Sequence, residues 1–189
     1  MEDGHGHSTS GCPWRGIFLL YHFISSYGMI VQYWHEYIFD HKQKEENTMK
    51  VLMINGSPRV GGNTSIALKE MEQIFAAEGV ETETIQIGNK DIRGCIACGT
   101  CAEKGKCVFD DMVNETAPKF EACDGLVIAS PVYYASANGT LISFLDRLFY
   151  STPFDKSMKV GASVVVARRG GMSATFDEMN KYFTICGMP

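Results

Sequence analysis

Residues 50–65 read KVLMINGSPRVGGNTS, and this stretch decides the fold class. Its first six residues form a short apolar run that ends in the turn Gly56-Ser57-Pro58, as expected of a buried strand. Asn63 or Thr64 is a suitable N-cap for a helix, and apolar residues at helical spacing continue to Phe75. A buried strand that turns directly into an amphipathic helix is the opening unit of a parallel α/β sheet.

The remainder of the chain repeats this alternation. Strands are predicted at 80–87, 125–130 and 160–167, and helices after Asp110-Asp111, around 141–149 and at 174–186, with a break at Pro118. The sequence therefore predicts an α/β protein with a doubly wound parallel sheet of order 2-1-3-4-5. A fifth strand is expected where the sequence stops at Pro189, so we expect the sequence to be a fragment there and the fourth strand to be an open edge.

The first 48 residues differ from the rest. All five histidines and both tryptophans lie there, and the apolar stretch Gly16–Trp34 is interrupted by polar residues, so no membrane anchor is expected. Lys44-Glu45-Glu46 can be encoded by a ribosome-binding-like sequence upstream of Met49. We expect translation to start at Met49, with residues 1–48 outside the fold and residues 49–189 forming one domain that contains a cysteine-rich loop at 93–108.

Composition excludes some functions. The net charge of −5 gives no basic field for nucleic acid. Four of the seven cysteines are clustered, which argues against a disulfide framework and for a reducing, cytoplasmic setting. No histidine follows residue 48, so Ser-His-Asp and Cys-His catalysis are excluded from the predicted domain, and no catalytic side chain is predicted.

The loop after the first strand predicts a phosphate site. Its glycines permit close backbone approach, and the following helix N-terminus offers free N–H groups and a positive dipole end. Neither a P-loop nor a dinucleotide fingerprint is present. Side chains that can donate to the phosphate are Ser57, Arg59, Asn63, Thr64 and Ser65.

Two further loops are expected at the same sheet edge, where ligands bind in doubly wound folds. Pro131, Val132 and Tyr133 follow the third strand and can wall a planar ring such as a flavin. Arg168, Arg169 and Gly170 follow the fourth strand. One of the two arginines, by prediction Arg168, is placed to stabilise a reduced flavin ring.

The cysteine spacing is Cys95-x2-Cys98-x2-Cys101-x5-Cys107. Tight spacing of this kind suits a 4Fe–4S cluster, since each thiolate must reach one small cube. The loop follows the second strand, which places it at the edge of the phosphate loop and predicts a cluster near the flavin. Structural zinc and free or redox-active thiols are the alternatives.

These motifs together resemble the iron–sulfur flavoproteins, within the NAD(P)H-dependent FMN reductases of flavodoxin-like fold. The resemblance covers residues 49–189 and includes Gly56-Ser57-Pro58-Arg59, the cysteine run, Asp110-Asp111 and Ser130-Pro131-Val132-Tyr133. It implies non-covalent FMN, a 4Fe–4S cluster on the four cysteines, and a homodimer or homotetramer.

The function expected from this resemblance is an FMN-dependent oxidoreductase that passes electrons between FMN and the cluster. NAD(P)H or a ferredoxin-like carrier is the expected electron donor. One alternative is an NAD(P)H-dependent FMN or quinone reductase without a cluster. Another is a non-catalytic electron carrier or docking module.

Overall fold

Four parallel strands form the centre of the protein in the computed structural model, which describes residues 48–189. The predictions made for residues 1–48 concern residues that lie, apart from Thr48, outside this range. The elements in chain order are β1 (Lys50–Asn55), α1 (Asn63–Ala77), β2 (Glu81–Gln86), α2 (Thr100–Lys104), α3 (Met112–Ala122), β3 (Gly125–Tyr133), β4 (Ser136–Ala137), α4 (Gly139–Ser151), β5 (Val160–Val166) and α5 (Met172–Ile185).

The strand order is β2-β1-β3-β5, and all three pairings are parallel. This order confirms the predicted doubly wound topology, with β5 as the fourth long strand. The two-residue strand β4 folds back on the end of β3 in an antiparallel pairing, Val132 opposite Ala137. Among the described residues no strand pairs with the outer side of β5, where the Gly161 N–H donates to the Pro189 carbonyl at 2.8 Å.

Both faces of the sheet are buried because β1 and β3 are apolar on both sides. Successive strand residues point to opposite faces. Leu52 and Ile54 pack with the helices α3, α4 and α5, whereas Val51 and Met53 pack with Leu68 of α1. A continuous apolar run is typical of a parallel strand that helices cover on both faces.

Two predictions about helices were wrong, one about an N-cap and one about a short helix. The N-cap of α1 is Gly62, with φ −74° and ψ 179°, so Asn63 and Thr64 stand in the first helical turn and make no cap. The segment around the cysteines was predicted to lack helix, but α2 spans five of its residues between Gly99 and Gly105, which both have positive φ.

Pro118 does not break α3. The helix runs through it from Met112 to Ala122, with Asp111 as its N-cap, as predicted. The proline ring removes one backbone donor, but Val113, Thr116 and Phe120 are buried on both sides of it. Packing of this face against the core therefore holds the helix together across the proline.

Strand β3 is three residues longer than predicted, so Pro131, Val132 and Tyr133 belong to the strand and not to a loop. Pro131 pairs with Val166 of β5 and Tyr133 with Ser136 of β4. The hairpin with β4 extends the strand beyond the sheet edge.

Within residues 48–189 no helix is long and apolar enough to cross a membrane.

Candidate functional site

The loop between β1 and α1 is held by a buried asparagine. The Asn55 Oδ1 accepts the Ser57 N–H at 3.0 Å, and the Asn55 Nδ2 donates to the Ser65 Oγ at 3.0 Å. One side chain thus ties both ends of the loop together. The Ser65 Oγ accepts this hydrogen bond and keeps its own O–H, so its donation to a phosphate stays a prediction.

The first turn of α1 is open to an anion. Within the described residues no side chain caps this helix end, and its first turn contains no acidic residue. The N–H groups of the first turn have no partner within a helix, and the dipole places a partial positive charge there. Ser57 is buried, and its Oγ accepts the Arg59 N–H at 3.2 Å, which folds the loop back toward the helix start.

A second buried asparagine, which the sequence reasoning missed, joins three segments at this edge. The Asn138 Nδ2 donates to the Gly56 carbonyl at 2.6 Å and to the Gly88 carbonyl at 3.4 Å. Its N–H donates to the Ser130 Oγ at 2.9 Å, and its Oδ1 caps α4 by accepting the Thr140 N–H. Nothing in the local pattern distinguishes Asn138 from an ordinary helix N-cap, because its partners lie 50 and 82 residues away.

Gly88 is a second residue that sequence reasoning missed. A Cβ at this position would lie 2.2 Å from the Gly56 carbonyl oxygen and 2.3 Å from the Ser57 carbonyl carbon. The Gln86 side chain also donates to the Ser57 carbonyl. The segment after β2 therefore packs directly against the phosphate loop, and only glycine permits this approach.

A cavity of about 480 Å³ lies at the carboxyl edge of the sheet, a volume within the usual range for cofactor sites. It brings together most of the site residues predicted from the sequence. Its lining consists of Ser57, Arg59, Gly62, Asn63, Thr64, Pro131, Val132, Tyr133, Val166, Ala167 and Arg168. The first turn of α1 thus faces an apolar and aromatic wall across one cavity.

Two predicted residues, Ser65 and Gly170, do not line this cavity. Gly170 lines an adjoining cavity of about 560 Å³ together with Arg168 and Arg169. Its other wall is the hairpin turn, where Tyr134 and Ala135 both have positive φ, at 55° and 60°. Tyr134 is fully exposed. The carboxylate of Glu178 on α5 holds the turn by accepting the Ser136 Oγ–H and the Ala137 N–H, both at 2.8 Å.

The four predicted cluster cysteines, Cys95, Cys98, Cys101 and Cys107, line one small cavity of about 30 Å³. Cys95 and Cys98 are exposed, and the other two are half-buried. In residues 48–189 no group of three or more His, Cys, Asp or Glu side chains is arranged to hold a metal ion.

The donor chemistry of this cavity fits an iron–sulfur cluster. Four thiols line it, and its lining contains no acidic residue; the buried guanidinium of Arg147 and the Tyr150 side chain complete its polar groups together with Ser151. The buried Ser151 Oγ, on the same wall, has no hydrogen-bond partner among the described residues. A buried hydroxyl without a partner is rare in folded proteins and indicates a missing acceptor. The small volume means that the exposed Cys95–Cys98 side must open further to admit a cluster.

Three of the thiols receive hydrogen bonds, and the first is Cys95, whose Sγ accepts the Ala97 N–H at 3.4 Å. Hydrogen bonds from the Thr100 side chain and, next, its backbone lower the pKa of the Cys98 thiol, because they favour the thiolate. The Arg147 Nε donates to the Cys107 Sγ at 3.2 Å. Burial lowers the pKa of the Arg147 guanidinium, but hydrogen bonds to Asp111 and Cys107 outweigh burial and raise the pKa overall.

The cysteine loop leaves the predicted sheet edge but does not stay there. It follows α4 toward the opposite edge: Gly94 lies near Ser143, and Gly105 near Pro153. The cavity is lined by Arg147 and Ser151, which at the helical rise lie about 12 and 18 Å from the first residue of α4. The cysteines therefore lie farther along α4 than the sheet edge where their loop begins, and the proximity of the cluster to the flavin stays a prediction.

The chain was compared with known proteins. Residues 49–189 match the family model of the NADPH-dependent FMN reductases. An iron–sulfur flavoprotein of Methanocaldococcus jannaschii is 38% identical over 146 residues, which are 74% of each chain. An iron–sulfur flavoprotein of Methanosarcina thermophila is 35% identical over 74% of this chain and 75% of its own length. A third, from Archaeoglobus fulgidus, is 36% identical, but the match covers only 64% of its length.

Solved structures show the same fold. RosB with a bound riboflavin-phosphate intermediate has a TM-score of 0.60 at 18% identity, covering 75% of this chain and 61% of RosB. The NADH:FMN oxidoreductase EMOB in its apo form has a TM-score of 0.55 at 20% identity, covering 75% of this chain and 71% of EMOB. The chain is thus an FMN-dependent oxidoreductase of flavodoxin-like fold that belongs to the NADPH-dependent FMN reductase family.

Proposed function

We propose that the protein holds FMN in the 480 Å³ cavity and a 4Fe–4S cluster on Cys95, Cys98, Cys101 and Cys107, and passes electrons between them. One observation carries the first half. A helix N-terminus without a cap and an apolar wall face each other across a single cavity at the sheet edge where ligands bind. FMN supplies both the two-electron and the one-electron chemistry when it is bound.

The phosphate of FMN is assigned to the start of α1. The N–H groups of Asn63, Thr64 and Ser65 donate to it, with the Asn63 and Thr64 side chains. Arg59 is exposed, and within residues 48–189 its guanidinium makes no ion pair or hydrogen bond, so it is available as a charged fork.

The ring of FMN is assigned to the opposite wall. Pro131, Val132 and Tyr133 border one side of it, with Val166 and Ala167 adding apolar surface. Arg168 lines both this cavity and the neighbouring one. Its positive charge stabilises negative charge on the reduced ring, and Gly170 leaves room beside it.

The cluster assignment rests on the shared thiol cavity and on the relatives' names. Four thiols with an unpartnered buried hydroxyl form a donor set for a sulfur-rich group. Structural zinc on the same four thiols is the alternative, and metal analysis separates the two. Two relatives that each match 74% of this chain are named iron–sulfur flavoproteins.

The name of the family supports a nicotinamide nucleotide, NADPH or NADH, as the electron donor. A ferredoxin-like carrier is an alternative donor to the same site. We also propose that the protein assembles as a homodimer or homotetramer and acts in the cytoplasm. We propose further that translation starts at Met49.

Anaerobic purification followed by absorption spectroscopy and metal analysis tests this function. We expect one FMN, four irons and four sulfides per chain, with a blue–violet absorbance that bleaches on reduction. Cys101→Ser should lose the iron and keep FMN, whereas Cys186→Ser, a half-buried cysteine outside the cavity, should keep both. Zinc in place of iron in the native protein contradicts the proposal and identifies a reductase without a cluster.

A further inference from the structure

Helix α4 presents two hydrogen-bond donors to the cysteine cavity. Arg147 and Ser151 are four residues apart and therefore share one face of the helix. Both side chains are buried, at 1% and 4% exposure, although a buried charge and a buried hydroxyl are costly without partners. Their burial beside four thiols requires an explanation that packing alone does not give.

Arg147 is held in a fixed orientation. Its two terminal nitrogens donate to the two Asp111 carboxylate oxygens at 2.7 and 2.8 Å, which is the bidentate geometry of a strong pair. It also donates to the Arg93 carbonyl at 3.2 Å and stacks on the Phe109 ring. These contacts leave the Nε–H and one N–H of the second terminal nitrogen, and the Nε–H points at the Cys107 sulfur at 3.2 Å.

Cys107 is itself held by its backbone. The Asn114 Oδ1 accepts the Cys107 N–H at 3.0 Å, and the Asn114 Nδ2 donates to the carbonyls of Cys107 and Phe109 at 3.0 and 2.9 Å. The Cys95–Cys98 end of the loop is exposed by contrast. Cys107 is therefore the positioned end of the loop, and its sulfur faces a charged donor.

We propose that Arg147 and Ser151 are the residues that set the reduction potential of the cluster, by donating to its Cys107 side, and that Arg147 positions Cys107. This inference rests on the cluster assigned under the proposed function. A positive charge and hydrogen bonds to the sulfurs favour the more negative, reduced cluster and so raise its potential. The Ser151 hydroxyl, unpartnered here, gains an acceptor when the cluster is bound.

The first measurement uses the metal-free protein. Hydrogen exchange is followed in peptides that cover 107–111 and 95–99. We expect Arg147→Gln to speed exchange in 107–111 and to leave 95–99 unchanged. Unchanged exchange in 107–111 overturns the positioning role, whether or not the protein takes up a cluster.

The second measurement is an anaerobic redox titration of the reconstituted protein, followed by electron paramagnetic resonance. Arg147→Gln should lower the reduction potential most. Arg147→Lys should lower it less, because lysine keeps the positive charge but lacks the planar set of guanidinium donors. Ser151→Ala should lower it slightly. The control is Thr152→Ala, which removes an equally buried hydroxyl that donates to the Leu148 carbonyl and does not line the cavity; its potential should equal that of the wild type.

The outcomes separate the two proposals. If the wild type binds iron and the reduction potentials of Arg147→Lys and Ser151→Ala both equal that of the wild type, this inference is overturned and the proposed function stays intact. A wild type that binds no iron overturns the proposed cluster and the tuning role with it. If Arg147→Gln fails to retain iron, the potentials of Arg147→Lys and Ser151→Ala still test the inference, because both variants keep a positive charge beside Asp111.

Discussion

The Asn138 side chain donates to the Gly56 carbonyl at 2.6 Å across 82 residues of sequence. This contact joins the start of α4 to the phosphate loop. Because the same side chain reaches Gly88, the loops after β1, β2 and β3 are held by one buried amide. The loops around the 480 Å³ cavity are therefore joined by a residue that does not line it.

We expect Asn138→Ala to weaken both folding and FMN binding. The Gly56 carbonyl would be left buried without a donor, which typically costs about 1–3 kcal/mol. Thermal unfolding and quenching of FMN fluorescence measure the two effects. Asn180→Ala removes an exposed amide on α5 that accepts only the Ser163 hydroxyl among the described residues, so it should cost less stability and leave FMN affinity unchanged. Full FMN affinity in Asn138→Ala would contradict a role for this amide in the cavity.

Gly88→Ala should disrupt the phosphate loop more severely. Its Cβ would meet backbone atoms of Gly56 and Ser57 within 2.4 Å, so the loop has to move. Overpacking of this kind costs about 1–3 kcal/mol or more, and FMN binding should be lost. In the matched control Gly139→Ala, the added Cβ meets nothing within 4 Å. A Gly88→Ala protein that melts and binds FMN like Gly139→Ala would show that this close approach is not required.

Arg59→Gln separates phosphate binding from ring binding. A charge-assisted hydrogen bond contributes about 1.5–3 kcal/mol, so the dissociation constant for FMN should rise about 10- to 100-fold. Riboflavin lacks the phosphate, and its affinity should not change. Lys69→Gln removes one positive charge from an exposed position on α1 and serves as the control. Equal losses for FMN and riboflavin would place Arg59 at the ring or in the fold.

Tyr182 on α5 gives the protein an alkaline limit of stability. Burial, and next its hydrogen bond to the Asp146 Oδ1 at 2.5 Å, raise the pKa of Tyr182. A raised pKa in the folded state means that this stability is complete below the unfolded pKa of about 10 and declines as the pH rises above it. The free energy of unfolding, followed from pH 9 upward, should fall less steeply in Tyr182→Phe. Identical slopes would mean that Tyr182 does not titrate on unfolding.

The sequence was sufficient for the parts of the fold that follow from local pattern. The apolar run 51–54 and the glycine turn predicted β1 and the phosphate loop, and topology then placed Pro131 and Arg168 at the same edge. The cavity lining confirms that these residues lie together. Their binding of FMN stays a prediction.

What the sequence did not reveal depends on distant contacts. Asn138 and Gly88 act on Gly56 through space, and Arg147 is an arginine within an apolar helical stripe, with its partners Asp111 and Cys107 36 and 40 residues away. The path of the cysteine loop along α4 was missed for the same reason. The spacing of the cysteines predicts which thiols act together, but it does not predict which helix the loop packs against.

Anomalous diffraction from crystals of the anaerobically reconstituted protein with FMN tests the central claim most directly. The account predicts an anomalous peak at the iron edge within bonding distance of Cys95, Cys98, Cys101 and Cys107. It also predicts phosphate density at the first turn of α1, beside Arg59. An FMN phosphate bound elsewhere, or a peak that appears only at the zinc edge, would contradict it.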